Sequence, residues 1–103
     1  MIINVRKIGN TDIEISELGM GTAPIGGWPT STNENQAFKT LDQAWNRGIR
    51  YFDTAPLYGS GMAEQRLGNF LQNKSRDEFK IATKVGRVIV DTDSSKAAEK
   101  FIG

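Results

Sequence analysis

Three short runs of strand-forming residues recur along this chain at a constant interval. They end close to Thr22, Asp53 and Lys84, so that successive ends are 31 residues apart. Between each run and the next, apolar residues have the spacing of an amphipathic helix. A strand, a helix and a second strand in this order place the two strands parallel in one sheet. The spacing therefore predicts an α/β fold whose strand ends share one layer, at the edge where α/β proteins bind ligands.

The residues before the first of these strands predict a β-hairpin. Strand-like runs at 5–8 and 13–16 flank a Gly-Asn-Thr-Asp turn at 9–12, whose residues tolerate positive φ. The three later strands are predicted at 18–22, 49–53 and 79–85. The chain thus divides into a hairpin at 1–17, three βα units at 18–85, and a loop with the start of a further helix at 86–103.

The first helix follows a loop at 23–31 and has more than one possible start. Ser31 with Glu34 fits a capping box, while Thr32 or Asn33 could cap instead. Gly48 is a stop signal. The apolar residues at helical spacing are Ala37, Phe38, Leu41, Ala44 and Trp45.

The second helix is predicted at 62–72, with Glu64 in the first turn, where a negative charge suits the helix dipole. Gly68 lies inside this helix at a cost of about 1 kcal/mol against alanine, which close packing against a strand would explain. The residues predicted to share its apolar face are Ala63, Leu67, Phe70 and Leu71. After the third strand, 88–90 could be a short extended piece and 95–102 the start of another helix.

The composition excludes several classes of protein. The net charge is +1 and there is no basic run, so neither nucleic acid nor an anionic membrane is expected as a partner. There is no cysteine, hence no disulfide framework or thiol chemistry, and no metal site is predicted. No apolar run approaches the roughly 18 residues of a membrane span, and no signal-peptide core is visible. We expect a soluble, cytoplasmic protein.

The stretch 48–61 (Gly-Ile-Arg-Tyr-Phe-Asp-Thr-Ala-Pro-Leu-Tyr-Gly-Ser-Gly) joins the second strand to a loop rich in functional side chains. Continued through Glu64, Leu67 and Gly68, it resembles the signature of the aldo-keto reductases. Its Tyr-Phe-Asp-Thr-Ala-Pro-Leu-Tyr-Gly part is most similar to the branch that oxidises sugars or pyridoxal. The resemblance implies the amino-terminal part of a (β/α)8 TIM barrel, a hairpin plus about three βα units, with the hairpin plugging the bottom of the barrel.

The resemblance also implies an oxidoreductase that transfers a hydride between NADP or NAD and the carbonyl or hydroxyl of a sugar or small aldehyde. Tyr58, Asp53 and Lys84 match three of the four catalytic positions of the family. Tyr58 would be the general acid in reduction and, as the phenolate, the base in oxidation. The ammonium of Lys84 would stabilise that phenolate, and Asp53 would keep Lys84 charged and oriented.

The same resemblance places the nicotinamide ribose against the backbone at Gly21, Thr22 and Ala23 and against the side chain of Asp53. Substrate is expected to contact Tyr58. Trp28 could shape the substrate mouth from loop 23–31, or it could cap the core beneath that loop. Two further helix residues, Glu64 and Arg66, also match family positions, although helix-surface roles explain them as well.

The resemblance breaks at one point. The fourth catalytic residue of the family is a histidine at the end of the fourth barrel strand, and this chain contains no histidine. A complete (β/α)8 barrel takes about 250 residues, whereas this sequence has 103. We therefore expect a fragment of a longer protein, inactive alone and able to self-associate through the open edges of its sheet.

Two alternatives to the enzyme remain open. The chain could be a truncated relative of the barrel enzymes that acts as a non-enzymatic binding or regulatory subunit. It could also be a βαβ module that binds phosphate at Gly59-Ser60-Gly61, before the second helix. That loop lacks the lysine of a P-loop. A dinucleotide fingerprint at 19–24 is excluded, because Pro24 occupies the third glycine position and no helix is predicted to begin there.

Overall fold

The computed structural model describes residues 3–91 and begins with the hairpin. Strand β1 (Val5–Lys7) pairs antiparallel with β2 (Glu14–Ser16). The turn between them is closed by Thr11, whose Oγ1 donates to the carbonyl of Ile8 at 2.6 Å. Ser16 is buried, and its Oγ accepts from the backbone N–H of Arg50 at 3.1 Å. This hydrogen bond connects the hairpin to the second sheet, because Arg50 directly precedes one of its strands.

Three parallel strands form the second sheet, in the order β3 (Met20–Gly21), β4 (Tyr51–Asp53), β5 (Lys80–Ala82). In register, Gly21 pairs with Asp53, and Asp53 pairs with Ala82, so the three strand ends do share one layer. The α/β fold class is confirmed. Each strand is shorter than its predicted run, although neighbouring residues still hydrogen-bond across the sheet, as Thr22 N–H does to the Asp53 carbonyl and Thr54 N–H to the Ala82 carbonyl.

Two helices cover one side of this sheet, α1 (Glu34–Asn46) and α2 (Met62–Leu71). The capping box of α1 is formed by Asn33 and Gln36, not by Ser31 and Glu34: the Asn33 side chain accepts from the Gln36 N–H at 2.8 Å, and the Asn33 N–H donates back at 3.3 Å. After α1 the chain reverses at Gly48, which has φ +100° as a stop signal requires.

The core lies between the sheet and the two helices, with Phe52 of β4 fully buried at its centre. Trp45 is packing, as expected, and its ring lies edge-on to Phe70 and Phe79 at centroid distances of 6.2 and 6.3 Å. All four residues predicted for the apolar face of α2 are buried. The guanidinium of Arg50 covers the Trp45 ring at 3.7 Å.

Several local expectations were wrong. The loop after β3 contains a short 3-10 helix (Ala23–Gly26), and a second one (Arg76–Glu78) occupies the connection before β5. Gly68 is not packed against a strand, since a Cβ there would meet nothing within 4 Å in the described part of the chain. The run 88–90 pairs with no strand among residues 3–91, and the short extended piece expected there stays a prediction. The predicted helix at 95–102 lies outside the described residues.

Candidate active site

Lys84 is the centre of a cluster at the carboxyl end of the parallel strands. Its Nζ lies 3.2 Å from Asp53 Oδ2, 3.2 Å from the carbonyl oxygen of Thr54 and 3.3 Å from Tyr58 Oη. The ammonium also lies 5.0 Å from the centroid of the Tyr58 ring. Its three N–H donors therefore have three acceptors, and a lysine so bound is oriented, not freely rotating in solvent.

The strands explain why these residues meet. Asp53 is the last residue of β4, and Lys84 follows the end of the neighbouring strand β5 by two residues. Tyr58 comes from the loop after β4, in a turn where its N–H donates to the Ala55 carbonyl at 3.2 Å and its own carbonyl accepts from the Ala63 N–H at 3.1 Å. The structure thus brings together all three residues predicted to be catalytic.

The cluster is open to solvent on one side, since the side chains of Lys84 and Asp53 are 52% and 44% exposed. The hydrogen bond to Tyr58 Oη raises the pKa of Lys84, and the Asp53 carboxylate adds to the rise, while desolvation opposes it. Lys84 therefore stays cationic at neutral pH. A cation held against a phenol oxygen favours the phenolate, which is an arrangement suited to proton exchange with a carbonyl oxygen.

The residues predicted to border a nicotinamide cofactor lie beside this cluster. Gly21 is exposed, and a Cβ there would meet nothing within 4 Å, so open space lies over the end of β3. The Asp53 carboxylate faces solvent and can accept from a ribose hydroxyl. Thr22 is fully buried and its hydroxyl donates to the Asp53 carbonyl at 2.9 Å, so Gly21, Ala23 and Asp53 present the surface. These residues fit the cofactor.

A cavity of about 300 Å³ adjoins the cluster on its other side. Tyr58 and Lys84 form part of its wall. The other lining residues are the apolar Ala55, Pro56, Leu57 and Val85, together with Arg87. Trp28 forms no hydrogen bond or ring contact with the cluster within the range 3–91. Its side chain is 70% exposed, so the alternative in which it caps the core is wrong.

Sequence reasoning missed the contacts of three residues around this site, although Glu64 and Arg66 are among the residues that match the family pattern. The Thr54 carbonyl accepts a hydrogen bond from Lys84, and no pattern of side chains in the sequence indicates a backbone acceptor. Glu64 accepts from Thr83 Oγ1 at 2.7 Å, next to Lys84 in sequence. Arg66 is buried, with 8% of its side chain exposed, so the helix-surface role left open for it is wrong. Its position beside the apolar Leu67 and Ala63 on α2 was the available signal.

Two other features, a metal-binding group and a membrane-spanning helix, are absent from residues 3–91. No group of three or more acidic, histidine or cysteine side chains there could hold a metal ion. None of the helices in that range is long and apolar enough to cross a membrane.

Comparison with known proteins places this geometry in a family. The family model described as "Aldo/keto reductase family" matches residues 17–101. The chain belongs to that family. It is 48% identical over 77 residues to the D-threo-aldose 1-dehydrogenase of Pseudomonas sp., a match that covers 75% of this chain and 23% of that protein. It is 42% identical over 86 residues to the pyridoxal 4-dehydrogenase of Microbacterium luteolum, covering 84% and 25%.

Solved structures agree. The holo form of an aldo-keto reductase from Bacillus halodurans superposes with a TM-score of 0.77 at 34% identity, covering 89% of this chain and 29% of that one. The recognition of the family, of its sugar and pyridoxal dehydrogenase branch and of a partial barrel fold is confirmed. The chain spans about a quarter of the length of the curated relatives it matches.

Proposed function

We propose that this chain supplies the acid–base half of a nicotinamide-dependent aldo-keto oxidoreductase acting on a sugar or a small aldehyde. One observation carries the proposal: Lys84 Nζ touches Tyr58 Oη, Asp53 Oδ2 and the Thr54 carbonyl at once, at the mouth of a parallel sheet. In proton transfer to a carbonyl oxygen, the contact with Tyr58 would stabilise the phenolate, and the contacts with Asp53 and Thr54 would hold the ammonium in place. Similarity to the D-threo-aldose and pyridoxal dehydrogenases supports the substrate class.

In this proposal Tyr58 holds the proton that is exchanged with the substrate oxygen. Lys84 keeps the phenol oxygen in a positive field, so that the phenolate left after donation is stabilised. Asp53 and the Thr54 carbonyl fix the ammonium in place, which preorganises the field before substrate arrives. Gly21, Ala23 and Asp53 would hold NADP or NAD, and the bound cofactor would supply or take up the hydride.

The isolated chain is proposed to be inactive, because it contains no histidine to match the fourth catalytic position. Its test therefore uses a chimera in which residues 17–91 replace the matching segment of the Pseudomonas D-threo-aldose 1-dehydrogenase. Oxidation of an aldose panel and reduction of small aldehydes are followed by the absorbance of the reduced nicotinamide, with NAD and with NADP. The cytoplasmic location and self-association through sheet edges stay predictions.

Tyr58→Phe is the decisive variant in this chimera, and Tyr51→Phe is its matched control. Both remove one phenolic oxygen, but Tyr51 lies within β4 and packs against Gly19. Loss of general acid–base catalysis lowers kcat by about 10²- to 10⁴-fold, and we expect this for Tyr58→Phe alone. Equal activity in the two variants would refute Tyr58 as the acid, and a folded chimera inactive before mutation would favour the binding-subunit alternative.

A further inference from the structure

Arg66 links three elements that sequence separates. It lies on α2, its Nε donates to Glu34 Oε1 in the first turn of α1 at 2.6 Å, and its Nη1 donates to the carbonyl of Ile25 at 2.6 Å. The Arg66 side chain is 8% exposed, whereas the Glu34 side chain is 75% exposed. Burying a guanidinium is costly, and removing it leaves the buried Ile25 carbonyl without this donor. This cost is unexplained by α2 alone, which already buries four apolar side chains.

The carbonyl that Arg66 holds belongs to the short 3-10 helix Ala23–Gly26, and that helix lies directly on the backbone of Tyr58. A Cβ on Gly26 would fall 2.8 Å from both the carbonyl carbon and oxygen of Tyr58. In the other direction, a Cβ on Gly59 would fall 2.3 Å from the Gly26 oxygen. With no side chain between them, a shift of the 3-10 helix must move the peptide of Tyr58.

We propose that Arg66 is a positioning residue for Tyr58: by holding the Ile25 carbonyl, it fixes Gly26 against the Tyr58 peptide and so keeps the phenol oxygen within reach of Lys84. The proposal deepens the proposed function and rests on it. Arg66 does not contact Lys84; its partners are Glu34 and the Ile25 carbonyl, and it acts through the backbone of the 3-10 helix.

The shape of arginine is part of the argument. Its fork donates in two fixed directions at once, here to a carboxylate and to a carbonyl on different elements. A lysine at position 66 keeps the charge but presents a single ammonium on a flexible stem. Arg66→Lys should therefore retain part of the positioning, and Arg66→Met should retain none.

The position of Tyr58 can be read from Lys84 without any enzyme assay. The hydrogen bond to Tyr58 Oη raises the pKa of Lys84, so loss of that contact lowers it toward the ordinary value. The 103-residue chain is labelled with ¹³C at the lysine Cε, and the Lys84 signal is assigned by its disappearance in Lys84→Met. Titration of Tyr58→Phe then gives the value for a lost contact.

We expect Arg66→Met to lower the pKa of Lys84 as far as Tyr58→Phe does, and Arg66→Lys to lower it less. The matched control is Arg6→Met, which breaks another Nε–Oε1 ion pair of 2.6 Å, to Glu17 in the hairpin, and should leave Lys84 unchanged. Tryptophan fluorescence verifies that each variant is folded. In the chimera, misplacing Tyr58 by about 1 Å should lower kcat about 100-fold.

An unchanged Lys84 titration in folded Arg66→Met would overturn the positioning role. If Arg66→Met fails to fold, the milder Arg66→Lys and Glu34→Gln decide, since Glu34 is mostly exposed and its loss of charge weakens the same clamp. If neither Arg66→Lys nor Glu34→Gln changes the pKa of Lys84, the proposal is equally overturned. Failure of the proposed function is separate: it appears as full activity of Tyr58→Phe in the chimera, with the Lys84 shift intact.

Discussion

Two buried threonines at neighbouring strand ends offer a controlled test of how the site is held. Thr54 is 2% exposed, and its Oγ1 has no hydrogen-bond partner among residues 3–91. Thr22 is fully buried, and its Oγ1 donates to the Asp53 carbonyl at 2.9 Å. Replacing each by valine exchanges the hydroxyl for a methyl group of similar shape. The two variants therefore differ mainly in whether a hydrogen bond is lost.

The structure fixes the sign and size of both effects. An unsatisfied buried hydroxyl costs about 1–3 kcal/mol, so Thr54→Val should raise the free energy of unfolding by at least about 1 kcal/mol. The backbone bonds of Thr54, from its N–H to Ala82 and from Lys84 to its carbonyl, are untouched. Thr22→Val loses the hydrogen bond from the hydroxyl, but the Asp53 carbonyl still accepts from the Thr22 N–H. The free energy of unfolding should therefore fall by about 1 kcal/mol.

Urea unfolding of the 103-residue chain, followed by tryptophan fluorescence, measures both variants against the parent. The predicted gap between Thr54→Val and Thr22→Val is about 2 kcal/mol, with unchanged dependence on urea concentration. Thr54→Val that is destabilised as much as Thr22→Val would show that the Thr54 hydroxyl has a partner, and the reasoning from its burial would be refuted.

Three other predictions use the same unfolding assay. Gly26→Ala should cost about 1–3 kcal/mol, because its Cβ meets the Tyr58 backbone at 2.8 Å, whereas Gly21→Ala should be near neutral; equal costs would contradict the contact. Phe52→Ala should cost about 3–5 kcal/mol, against about 1 kcal/mol for the half-exposed Phe38→Ala, and similar values would place the core elsewhere. The raised pKa of Lys84 means that its contribution is full below the ordinary value of about 10.4 and is lost as pH rises through the raised value. As pH rises above that ordinary value, the parent should therefore lose more stability than Lys84→Met, and parallel losses would count against the contacts.

Much of the fold could be predicted because its determinants are local. The spacing of Thr22, Asp53 and Lys84 reflects the length of a βα unit, and the apolar face of α2 follows from helical periodicity. The start of α1 stayed open among Ser31, Thr32 and Asn33, because each can cap a helix and only the path of the chain selects Asn33. The 3-10 helix Ala23–Gly26 was missed because its contacts come from distant Arg66 and Tyr58.

The site shows the same division. Asp53 and Lys84 follow from strand ends, and Tyr58 from the loop between them, so their meeting could be anticipated. The partners of Arg66 could not, because Glu34 and Ile25 are 32 and 41 residues away in sequence. The family resemblance supplied the roles of the catalytic residues, and these roles stay predictions.

The most direct test of the account is the pH–rate profile of the chimera with Lys84→Met, compared with Lys39→Met on the exposed side of α1. If Lys84 stabilises the Tyr58 phenolate, Lys84→Met lowers kcat at neutral pH. It also moves the basic side of the profile, where activity falls because the acid has lost its proton, to higher pH. Lys39→Met should leave both features in place. A profile that Lys84→Met leaves unmoved would contradict the central claim that this lysine and Tyr58 work as one acid–base unit.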